Sequence, residues 1–210
     1  MEINVERLFS DKNVTFITKH YQQNSFTSPR HYHNEYEMAF IEESEGKLFV
    51  GNNIVEFKAG DLFVFAPKLV HCFKNKTGID QKDKSAKATI VLFKRDFFGN
   101  EFIDRKETSQ LKKFLLNAEE GIYITNLSKE IISLMKNLSN KNGLESILDF
   151  IALLDSLSKV DDYKLLSIQW FKNYYYKLKD DRLYTILDYA EKNFAKGTVF
   201  KDVIHISKLT

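Results

Sequence analysis

Arg30-His31-Tyr32-His33-Asn34-Glu35-Tyr36-Glu37 is the stretch on which the reading of this chain turns. His31, His33 and Glu37 share one parity, so in an extended strand their side chains leave from a single face. Further on, Gly60-Asp61 leads an apolar run, Leu62 to Phe65, into Pro67, and then His71 and Asn75 follow. His71 can bring a fourth ligand-type side chain to the first three. Short strands separated by Gly- and Asn-rich turns, as at Val50-Gly51-Asn52-Asn53-Ile54, predict an antiparallel barrel or sandwich with hairpin connections.

These residues resemble the cupin pattern. His31, His33 and Glu37 fit its first motif, although Gly46 comes two residues late. In place of Pro-x-Gly-x-x-His the second motif has Pro67-Lys68-Leu69-Val70-His71, one residue shorter and without the glycine. The whole combination is more similar to the sensing domain of AraC/XylS-type transcription regulators, in which the barrel is an effector pocket and a metal is uncommon. That resemblance implies a pocket formed by His31, His33, Glu37, His71 and Phe73. It calls for no cofactor and no metal, because the shortened Pro67 to His71 spacing is expected to shift His71 along its strand.

A chain of 210 residues with 43% hydrophobic and 14% aromatic residues can bury a sizeable core. A net charge of +2 gives no global basic field, so a DNA-binding claim needs a motif. Cys72 is the only cysteine, which excludes an internal disulfide, and its expected role is a small buried apolar side chain. With no signal pattern and no apolar run of membrane length, the expected setting is the cytoplasm.

Before the motif, Val14 to Tyr21 reads as a strand; after it, 75–87 reads as an exposed loop and Ala88 to Phe93 as a strand. From Asn126 the apolar period changes from two to 3.6. Leu127, Ile131, Leu134, Met135 and Leu138 form one helical stripe. The next helix, Leu144 to about Lys159, carries two: Leu144, Ile147, Leu148 and Ile151, and then Phe150, Leu153 and Leu157. Two apolar stripes imply two partners. Either the helix is sandwiched in its own domain, or Phe150, Leu153 and Leu157 meet their copies across a two-fold axis. The family resemblance favours the homodimer.

The aromatic cluster Trp170 to Tyr176 reads as a partly buried linker rather than a base-stacking platform. Arg182 to Phe194 and Thr198 to Thr210 then resemble the first two helices of the AraC/XylS DNA-binding domain. By that resemblance promoter DNA is reached only through a C-terminal domain whose recognition helix lies beyond these residues. The expected order is therefore a cupin-like effector-binding barrel at 1–98, a helical dimerisation region at 99–160, a linker at 161–181 and an incomplete helix-turn-helix domain at 182–210. The expected fold class is a mainly β, antiparallel barrel followed by a helical hairpin.

Three functions fit these residues. The first is the sensing and dimerisation part of a transcription regulator that binds a small-molecule effector. The second is a metal-dependent cupin enzyme using His31, His33, Glu37 and His71 around an Fe, Mn or Zn ion. In the third, Glu35 and Glu37 form a solvated face opposite Tyr36, Met38 and Phe40, and there is no pocket.

Overall fold

The computed structural model describes residues 4–5, 14–75, 85–99 and 101–167. The readings placed on 168–210, including the linker aromatics and the helix-turn-helix resemblance, lie outside the described residues, as does most of the loop at 75–87.

Among the described residues eleven strands build two sheets. The first contains β1 (Asn4–Val5), β3 (His31–Tyr32), β8 (His71–Asn75), β5 (Gly46–Val50) and β6 (Asn53–Phe57), in that order across the sheet. The second runs β11 (Lys164–Leu165), β10 (Ile122–Ile124), β7 (Leu62–Phe65), β4 (Tyr36–Glu43), β9 (Ala86–Phe93), β2 (Phe16–Gln23). All pairings are antiparallel except the short parallel contact of β1 with β3. Among the described residues no ladder joins the two sheets, so the barrel is open.

The single strand expected from Arg30 to Glu37 is in fact two. His31–Tyr32 pairs in the first sheet and Tyr36–Glu43 in the second, with the chain bending at Asn34 and Glu35 between them. The expected turn does form: β5 and β6 pair from Gly46↔Phe57 to Val50↔Asn53 around Gly51, whose φ of +52° suits a two-residue hairpin.

The second sheet is buried on both faces, as β4 shows. Tyr36, Met38 and Phe40 join a core shared with the helices, whereas Ile41 belongs to the core between the sheets. β7 divides in the same way, Leu62 and Val64 on the helical side and Phe63 and Phe65 between the sheets. Glu35 and Glu37 are buried as well, which overturns the solvated-face reading.

Helices α1 (Ser109–Asn117), α2 (Lys129–Asn137) and α3 (Gly143–Ser158) cover the outer face of this sheet. Ser128 caps α2, its Oγ accepting from the Ile131 amide at 3.2 Å. The stripe predicted for α2 packs as expected: Ile131, Met135 and Leu138 are buried and Leu127 and Leu134 lie against them.

For α3 the expected dimer surface must be corrected. Phe150, Leu153 and Leu157 are fully buried within their own chain, and Phe150 stacks on Phe16 with ring centroids 4.7 Å apart. The stripe left outside is the other one: Leu144 is 71% exposed, Leu148 57% and Ile151 36%. The reason is that β2 and β9 present Phe16 and Phe93 to the inner face of α3, so the aromatic stripe already has a partner.

Strands β10 and β11 were not anticipated, and both tie the helical region to the sheet. β10 pairs with β7 and β11 with β10, so 99–160 shares its core with the strands rather than standing apart from them. The amides of Leu166 and Ser167 then bond the Glu120 carbonyl at 3.2 and 2.7 Å, and Leu166 is buried. Asn53 Nδ2 donates to the Leu166 carbonyl at 2.9 Å, which fixes this segment to the β5–β6 turn. No helix among the described residues is long and apolar enough to cross a membrane.

Candidate functional site

The break between β3 and β4 makes the site. It leaves His31 on the first sheet and Glu37 on the second, while β8 sets His71 directly opposite His31. His31, His33, Glu37 and His71 each offer one ligand atom, and those atoms all lie within 4.8 Å of one another. All four residues are buried.

Despite the shortened spacing, His71 lies within the cluster. The loop before it is one residue short, but Lys68 takes a left-handed conformation, φ +69°, and its amide donates to the His33 carbonyl at 2.7 Å. The Gly51 amide holds the Val70 carbonyl at 2.9 Å. Anchored at both ends, the loop delivers His71 into the cluster, where its ring stacks on Phe65 with centroids 4.2 Å apart.

Backbone carbonyls orient all three imidazoles. His31 Nδ1 donates to the Pro29 carbonyl at 2.9 Å, His33 Nδ1 to that of Glu35 at 3.0 Å, and His71 Nδ1 to that of Leu69 at 2.8 Å. A carbonyl only accepts, so each Nδ1 carries a proton. His33 Nε2 lies 2.9 Å from Glu37 Oε2, a buried charge-assisted hydrogen bond. Burial pushes the His33 imidazolium down, but the bond to Glu37 and the charges of Glu37 and Glu35 outweigh it and raise the pKa above its ordinary value. Burial pushes the Glu37 carboxyl up; the positive charge that His71 and His33 can carry, with the His33 bond, holds it well below the usual carboxylate range. His71 Nε2 stands 3.6 Å from the same Glu37 oxygen and has no hydrogen-bond partner.

This donor set fits a divalent cation. Backbone-held Nδ1–H groups fix the tautomer that leaves Nε2 for a metal, and the carboxylate supplies anionic charge. His31, His33, Glu37 and His71 are the residues that would hold it, where it would act as a Lewis acid.

Beside the cluster lies a cavity of about 170 Å³ between the sheets. His31, Glu37 and His71 form its polar end, and Phe26, Ile41, Phe73 and Leu92 contribute apolar wall, with Lys19 and Ser28 also on the lining. Of the predicted pocket residues, His31, Glu37, His71 and Phe73 line it; His33 is not on its wall and instead hydrogen-bonds Glu37. Sequence reasoning missed Phe26, Ile41 and Leu92. For Ile41 a signal existed, since it follows Glu37 and Ala39 in parity along β4.

Residues 18–80 match the family model of the cupin domain. No curated protein matches the chain. Similar solved structures include ToxT from Vibrio cholerae strain SCE256 with an unsaturated fatty acid bound, 14% identical with a TM-score of 0.47, covering 90% of this chain and 68% of that one. ToxT from Vibrio cholerae O395 bound to (E)-4-(8-methylnaphthalen-1-yl)but-3-enoic acid is 15% identical with a TM-score of 0.46, covering 93% and 72%. A cupin 2 conserved barrel domain protein from Salinispora arenicola CNS-205 is 20% identical with a TM-score of 0.34, covering 43% and 73%. The fold is thus cupin-like, antiparallel sheets followed by a few helices.

Proposed function

We propose that this chain is the ligand-sensing part of a transcription regulator, with a small-molecule effector bound in the cavity between the sheets. The observation that carries this reading is the cavity itself: buried polar side chains converge at one end of a chamber whose wall is otherwise mostly apolar, the form of a small-molecule site. The likeness of 182–210 to the first helices of the AraC/XylS DNA-binding domain supports the regulatory part. Promoter DNA is then contacted through a C-terminal domain of that kind.

The test is a thermal-shift and calorimetry screen of small organic molecules on tag-free protein, with metal content measured alongside. A ligand at a hundred times its Kd adds about 2.7 kcal/mol to stability and leaves the protein chemically unchanged. One observation favours the second reading, a metal-dependent cupin enzyme: the four ligand atoms within 4.8 Å of one another. Stoichiometric Fe, Mn or Zn in the purified protein, together with consumption of the bound molecule, would replace the first reading with that one. Because a cation must displace the proton shared by His33 and Glu37, its affinity is expected to rise with pH.

Self-association belongs to the same proposal, through a corrected surface. Leu144, Leu148 and Ile151 leave an apolar stripe in water along α3, which a second copy can bury isologously. Leu148→Glu is expected to turn a sedimenting dimer into a monomer while folding free energy changes by no more than about 0.5 kcal/mol, the usual scale for an exposed position. A variant that still sediments as the wild type does would remove α3 from the interface.

A further inference from the structure

Away from the cavity, a chain of hydrogen bonds runs across the other face of the second sheet. Along β2, Lys19 and Tyr21 line the cavity, so His20 has the opposite parity and leaves toward the helices, as does Phe16, whose ring stacks on Phe150 of α3. His20 bridges sheet and helical layer. Its Nε2 lies 2.7 Å from Ser139 Oγ, in the turn that follows α2, and its Nδ1 lies 3.2 Å from Thr89 Oγ1 on β9. Thr89 in turn donates to Glu42 Oε1 at 2.7 Å, and Glu42 is paired with Lys136 at 3.5 Å.

The direction of these bonds follows from the acid end. A carboxylate only accepts, so the hydroxyl proton of Thr89 is spent on Glu42, and the Thr89 oxygen accepts from His20 Nδ1–H. The neutral ring then accepts at Nε2, and Ser139 donates to it. Hydroxyl, imidazole and a tautomer-holding acid, in that order, are the groups that activate a serine; here the acid acts through one threonine hydroxyl. Thr89 is fully buried, whereas His20 and Ser139 are exposed and open to a reagent. Beside Ser139 runs an open groove of about 410 Å³, with Phe16, Leu138 and Ile147 as apolar wall and Asn142 and Ser146 as polar lining.

Beyond the sensing reading, we propose that Ser139 is an acyl-accepting nucleophile, with His20 as its general base and a small ester with an apolar acyl chain as the donor. Ser139 Oγ bonds to the ester carbonyl carbon while its proton passes to His20 Nε2; the bond from that carbon to the leaving oxygen breaks, and the oxygen takes the proton from His20. Water attacks the acyl-serine in the same way, losing a proton to His20, and the acid departs as Ser139 regains that proton. Thr89 and Glu42 touch no substrate and are positioning residues for the His20 ring.

The experiment treats the full chain with p-nitrophenyl butyrate and, separately, with a fluorophosphonate, and locates the adduct by peptide mass spectrometry. An adduct at Ser139 is expected. His20→Ala is expected to slow its formation at least about a hundredfold, the lower end of what general-base assistance supplies, and added imidazole to restore part of the rate. Thr89→Ser, which keeps the hydroxyl, is expected to retain the rate, and Thr89→Val, which keeps the shape, to lose it. No adduct at Ser139 in folded protein, a wild-type rate in His20→Ala, no rescue by imidazole, or equal rates in the two Thr89 variants would each overturn the proposal.

Discussion

Phe150→Ala is expected to cost about 3–5 kcal/mol of folding free energy, the range for emptying an aromatic site in a close-packed core. Phe150 is fully buried, and its ring stacks on Phe16 while meeting the rings of Phe93 and Phe97 edge-on at 5.3 and 5.4 Å. These contacts join α3 to β2 and β9, so the loss is felt by the sheet that carries Glu37 and not by the helix alone. Urea unfolding followed by far-UV circular dichroism measures it. A loss below about 1 kcal/mol would mean that α3 does not pack on the sheet in this way. The contrast with Leu148→Glu is sharp, because one substitution attacks the inner stripe of α3 and the other its outer stripe.

The second large effect is expected at Gly46. A Cβ there would stand 2.1 Å from the Lys74 carbonyl oxygen and 2.9 Å from the Asn75 Cα, both backbone atoms of β8. Neither can swing aside as a side chain would, since Gly46 and Asn75 are register partners in the β5–β8 ladder. Gly46→Val is therefore expected to abolish soluble folded protein, or to leave a species whose cavity no longer binds ligand. The same ladder pairs Val50 with His71, so forcing the strands apart at one end disturbs the site at the other. Expression and thermal unfolding of Gly46→Val report it directly, and a wild-type melting curve would show that the two strands are not in this contact.

Gly46 also shows how far sequence reading reached. Against the cupin motif it looked merely two residues late, whereas its role is set by a strand that lies far along the chain. His31, His33, Glu37 and His71 were legible because their residue types and spacing carry the chemistry, and Phe73 because it shares the His71 strand. Phe26 was not, since it lies in an irregular segment with no period to read. Leu92 sits on β9, which is buried on both faces, and such a strand gives no alternation to tell cavity from helix side. On α3 the two stripes were both visible, but nothing in their composition says which one meets the sheet. β10 is only three residues long, too short for any period to show.

The segment from Lys164 to Ser167 has a mechanical consequence. It is the outermost strand of the second sheet and the residues just after it, and its amides hang on the carbonyls of Glu120 and Gly121. A pull on the chain at Ser167 therefore loads the pairing of β11 with β10, and through β10 the β7 strand beside it. β7 runs into Ala66 and Pro67, the start of the loop that ends on His71. Leu69 of that loop and Leu166 of the strap crowd the same glycine, Gly121, whose added Cβ would lie 3.3 Å from one side chain and 3.4 Å from the other. Tension at the exit of the sheet and the seating of His71 thus bear on one joint, and a force applied at either is transmitted to the other through a lever only a few residues long.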